Sequence, residues 1–88
     1  MLLGMDLDGT YTEDQEFWDR FIQLARQHGH EVVCVTMRGT RPDNAPPCQF
    51  IGTGGKAKRA YCEGLGLKVN VWVDDNPHYI LNDVKGSL

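Results

Sequence analysis

The sequence predicts one α/β domain, residues 1–88, built on a short parallel sheet of about four strands with helices packed against it. Short apolar, β-branched runs alternate with stretches of helical periodicity, and glycine or proline separates them. Three of the strand-like runs stop abruptly on polar side chains: "LLGMDLD" on Asp6 and Asp8, "EVVCVT" on Thr36, and "KVNVWVDD" on Asp74 and Asp75. In a parallel sheet the carboxyl ends of the strands share one edge, so these residues are expected to converge there.

Leu2 to Leu7 reads as a strand buried on both faces, because its apolar residues run almost without alternation. Thr12 and Gln15 have the spacing of a capping box. Behind them Phe17, Phe21 and Leu24, flanked by Trp18, Ile22 and Ala25, fall on one side of an amphipathic helix that Gly29 terminates. Glu31 to Thr36 is rich in β-branched residues and predicts the second strand. From Met37 to Pro47 the prolines and glycine forbid regular structure, and "CQFIG" follows as a brief third strand. Lys56 to about Glu63 predicts a second helix closed by Gly64 and Gly66. After "KVNVWVDD", Asn76 as cap and Pro77 in the first helical position predict a short last helix.

The chemistry expected of the converging edge follows from its charge. Several carboxylates on one rim repel one another, and a hard divalent cation such as Mg²⁺ offsets that repulsion while leaving coordination positions for water and phosphate oxygens. A lysine after "GTGG", Lys56 or Lys58, is expected to add positive charge from a helix start. Carboxylates, a cation, a hydroxyl and a lysine together suit phosphoryl transfer.

Four motifs in order carry a family resemblance: "DLDGT" with Asp6, Asp8, Gly9 and Thr10; "VVCVT" ending at Thr36; Lys56 or Lys58; and "VWVDDNP" with Asp74 and Asp75. In these the sequence resembles the haloacid dehalogenase-like (HAD) superfamily of phosphohydrolases. The resemblance implies a three-layer Rossmann-like core without a cap domain, since the usual insertion points are too short to hold one. It implies a Mg²⁺-dependent phosphatase in which Asp6 attacks phosphorus and Asp8 serves as acid and base. Thr36 and Lys56 would hold the phosphoryl group. Gly9, Thr10, Met37 and Arg38 would contact substrate. Asp6, Asp74, Asp75 and the backbone carbonyl of Asp8 would surround the metal, with the principal ligand of the last acidic pair left open, as is the choice of Lys56 or Lys58. A capless site is expected to accept a bulky phosphorylated macromolecule or a nucleotide, or to be completed by a homodimer, with small phosphate esters as further candidates. A non-catalytic module that binds metal and phosphate is the competing expectation.

Composition excludes other classes. The net charge of −3 gives no basic footprint for duplex nucleic acid or an anionic membrane, and no run approaches the roughly 20 apolar residues of a membrane span. Cytoplasm is the expected location, with Cys34, Cys48 and Cys62 as reduced thiols; the alternative of a zinc site from Cys48, Cys62 and a histidine lacks ligand spacing. "DLDGTYTEDQEF" is not a calcium loop, because Tyr11 and Phe17 stand where glycine and glutamate are needed, and "GTGGKA" is too short for a P-loop. Lys58 and Arg59 are expected on a solvated helix face, and Trp18 and Trp72 at least half-buried in the core.

Overall fold

The computed structural model describes residues 1–85. Four parallel strands, β1 (Leu2–Met5), β2 (Glu31–Thr36), β3 (Gln49–Gly52) and β4 (Val71–Val73), lie in the order β3-β2-β1-β4. Three α-helices accompany them among the described residues: α1 (Gln15–Gln27), α2 (Lys58–Gly64) and α3 (His78–Leu81). Among the described residues no helix is long and apolar enough to cross a membrane.

Side-chain alternation along the strands divides the core between the two sheet faces. Leu3, Met5, Val32 and Cys34 pack with Ile22 and Ala25 of α1, with Trp18 and Phe21 beside them. On the opposite face Val33, Val35 and Ile51 pack with Cys62 of α2 and with Trp72. Gly4 permits that second layer, since a Cβ there would sit 2.8 Å from the Trp72 ring. The three thiols are buried, with Cys34 and Cys48 in one cluster and Cys62 in the other. Burial pushes the Cys34 thiol up to about 12, which keeps it protonated and inert.

Several local expectations change. The first helix starts at Gln15, with Asp14 as its cap accepting from Phe17 N–H at 3.1 Å, while the Thr12 hydroxyl instead accepts from Gly9 N–H at 3.0 Å. Thr12 is therefore used to close the turn after β1, and the capping role passes two residues on. The buried stripe of α1 also rotates toward Ile22 and Ala25, leaving Phe17 and Leu24 each 55% exposed. Leu24 borders a groove with Val71 and Val73 beside β4, where the four-stranded sheet has run out. The last helix begins at His78 with Pro77, not Asn76, in the capping position.

The strand order fixes where a site can form. β1 is central, paired to β2 on one side and to β4 on the other, and the chain reaches β2 by way of α1 and β4 by way of α2. Such a reversal opens a crevice at the carboxyl ends of the two neighbouring strands. Asp6 follows β1 there, its N–H donating to Val73 O at 2.9 Å, and Asp74 follows β4.

Candidate active site

Asp6 is pinned at the end of β1 and is only 8% exposed. An isolated buried carboxylate would be costly, and the structure supplies a counter-charge. Lys58 Nζ donates to Asp6 Oδ1 at 2.9 Å and to Asp74 Oδ2 at 2.5 Å, and Lys58 itself is only 2% exposed. This corrects two expectations at once. Lys58 is not on a solvated face, and Lys56, expected in the site, forms no ion pair among the described residues and is spent in a turn whose N–H donates to Thr53 O. The cause is local: Ala57 is still extended (φ −52°, ψ 126°), so the helix begins two residues late and Lys58 occupies its first position. A side chain there points back past the helix N-terminus, toward the crevice.

The last acidic pair divides its work. Asp74 holds Lys58 through one oxygen and accepts from Asn76 N–H at 2.9 Å through the other. Asp75 is held by Thr10, whose hydroxyl donates to Asp75 Oδ1 at 3.3 Å and accepts from Asp75 N–H at 3.2 Å. Gly9 makes that approach feasible: its φ is +82°, and a Cβ would collide with the Asp75 carboxylate. Gly9 and Thr10, expected to touch substrate, therefore support Asp75 from a recess beside the main cavity.

One oxygen from each of Asp6, Asp74 and Asp75 lies within 4.8 Å of the others, close enough to share one ion. Lys58 balances one of these three carboxylates, so with all ionised the cluster carries two uncompensated negative charges. That deficit and the all-oxygen donor set fit a hard divalent cation. Asp8 stands apart from this cluster. Arg38 Nε and Nη2 donate to its two oxygens, each at 2.8 Å, at a half-exposed rim. The Arg38 guanidinium holds the Asp8 carboxyl below the usual carboxylate range.

A cavity of about 240 Å³ joins these groups, lined by Asp6, Asp8, Thr36, Met37, Lys58, Asp74 and Asp75 and also by Asn76, Tyr79 and Val84. Thr36 is 2% exposed, its hydroxyl accepting from Arg38 N–H at 3.3 Å, and Met37 Sδ accepts from the Thr53 hydroxyl. Sequence reasoning missed Asn76, Tyr79 and Val84. Tyr79 and Val84 come from the last helix and the segment after it, and nothing in their residue types announces a site.

Burial, reinforced by the Asp75 and Asp74 carboxylates and opposed by Lys58, pushes Asp6 up to about 7. A carboxyl raised on folding contributes stability that is complete below its unfolded value near 4 and is lost as pH climbs through about 7. In chelator-treated protein, Tm is thus expected to fall between pH 4 and 7 relative to Asp6→Asn. Parallel Tm profiles for the two proteins would contradict this.

No family model, curated protein or solved structure matches the chain.

Proposed function

We propose that the chain is a Mg²⁺-dependent phosphomonoester hydrolase working through an aspartyl-phosphate on Asp6, of the HAD-like type its motifs resemble. The observation that carries this reading is the Asp6 carboxylate, fixed by the buried Lys58 in a crevice shared with Asp74 and Asp75.

In this reading an Asp6 oxygen forms the bond to phosphorus while the ester oxygen leaves, and water then attacks the same phosphorus and returns Asp6 as a carboxylate. The Thr36 hydroxyl and the Lys58 ammonium, from two residues that line the cavity, hydrogen-bond the phosphoryl oxygens. Asp8 gives a proton to the leaving oxygen and takes one from the incoming water, which requires Arg38 to leave Asp8 and turn to the substrate phosphate. Asp6, Asp74, Asp75 and the Asp8 carbonyl would hold Mg²⁺, which when bound supplies neutralisation of phosphoryl charge. The cavity of about 240 Å³ is smaller than usual small-molecule sites and suits a phosphoryl head with the rest of the substrate outside. A nucleotide or a phosphorylated macromolecule meets that description, and cytoplasm remains the proposed location.

Hydrolysis of an aryl phosphate with and without Mg²⁺ tests the reading. Metal-dependent release of phosphate is expected, and none under any metal condition would contradict it. Asp8→Asn is expected to slow turnover by about 10²- to 10⁴-fold while calorimetric Mg²⁺ affinity stays within a few fold, because the Asp8 carboxylate faces Arg38 and not the acidic cluster. A fully active Asp8→Asn would remove Asp8 from the chemistry.

One observation favours a second reading, a module that binds metal and phosphate without turnover: both Asp8 oxygens are occupied by Arg38. Such a module binds Mg²⁺ in calorimetry and hydrolyses nothing.

A further inference from the structure

Lys58 occupies the first position of α2, so where that helix starts decides where the ammonium goes. The helix lacks the usual device for fixing its start. Its capping position holds Ala57, which has no side-chain acceptor, whereas Ser, Thr, Asp or Asn are preferred there. What holds the start is instead a contact to the capping residue itself. Asp83 Oδ1 accepts from Ala57 N–H at 2.7 Å, and the next residue, Val84, donates its N–H to Gly55 O at 2.8 Å. These two bonds fasten residues 83 and 84 across the turn that aims Lys58, and Val84 goes on to line the same cavity as Lys58. Asp83 does not line that cavity and pairs with no cation among the described residues.

We propose that Asp83 is a positioning residue: by anchoring Ala57, the residue that leads into α2, it holds the Lys58 ammonium between Asp6 and Asp74. A fully buried ammonium has no room to regain its two partners once its helix start shifts, so a small displacement there reaches the chemistry. The catalytic part of the test rests on the phosphatase reading above. The positional part does not.

The experiment follows the Lys58 ammonium by NMR in protein labelled with ¹⁵N-lysine, the signal being assigned by its loss in Lys58→Arg. Burial between two carboxylates is expected to slow proton exchange enough for this one ammonium to be seen. Asp83→Ala is expected to broaden or abolish the signal and to lower kcat for an aryl phosphate by about 10- to 100-fold, with KM within about twofold. Asp83→Asn, which keeps an oxygen acceptor, is expected to retain both signal and kcat. An Asp83→Ala protein with an unchanged Lys58 signal would overturn the proposal, as would an equal loss in the alanine and asparagine variants. If Asp83→Ala does not fold, Ala57→Pro provides the same test, because it removes the donor at a φ of −52° that suits proline and leaves Asp83 in place. A retained signal in Ala57→Pro overturns the proposal too. A wild type with no hydrolysis, but whose Lys58 signal vanishes in Asp83→Ala, keeps the positioning role and removes the phosphatase reading.

Discussion

Lys58→Ala is expected to cost about 3–5 kcal/mol of folding stability in chelator-treated protein, among the largest effects a single substitution here can have. Among the described residues its ammonium is the one cation paired with Asp6 and Asp74, and all three side chains are at most 10% exposed. Removing it leaves two carboxylates crowded in a crevice with Asp75 and, among the described residues, no cation paired with them. Part of the loss should return when Mg²⁺ is added, since a cation on those carboxylates binds the folded state alone. Urea unfolding with and without Mg²⁺ measures both quantities. Lys56→Ala, by contrast, is expected to stay within about 0.5 kcal/mol, because Lys56 makes no ion pair among the described residues. Equal effects at the two lysines would mean that the buried network does not hold the crevice together.

Asp6→Asn is expected to separate stability from function. Turnover should fall by at least about 10³-fold, because the amide cannot form the phosphorus bond. Stability in chelator should hold or rise. The substitution removes one of three like charges gathered within 4.8 Å, while Asp74 remains paired with Lys58. Residues that gain stability when neutralised but lose activity mark a site assembled at a cost to folding. If Asp6→Asn instead destabilises the protein by several kcal/mol, then Asp6 is chiefly the structural partner of Lys58.

The α/β architecture was legible because its signals are local and redundant. Val32 to Val35 and Leu2 to Met5 announce parallel strands, and Gly29 ends its helix with the positive φ expected of it. The carboxyl-end rule locates Asp6, Thr36, Asp74 and Asp75 from the sequence, and all four line one cavity. What failed depended on helix starts, which turn on one or two residues of register. Ala57 remaining extended decides between the two candidate lysines, bringing Lys58 and not Lys56 against Asp6 and Asp74. Asp14 capping the first helix released Thr12 to bond Gly9. The pairing of Asp8 with Arg38 spans 30 residues, and the contact of Asp83 with Ala57 spans 26, so neither leaves a pattern in a linear sequence. Gly9 and Thr10 carried the right motif with a different duty, because their role as the backing for Asp75 emerges only when β1 and β4 lie side by side.

The most direct measurement is an acid quench of the wild type during turnover of an aryl phosphate with Mg²⁺, followed by mass spectrometry of the peptide that contains Asp6. The account predicts one phosphoryl group on Asp6, dependent on Mg²⁺ and missing from Asp6→Asn. Phosphate release without any modification of Asp6, at a rate that Asp6→Asn leaves unchanged, would contradict it.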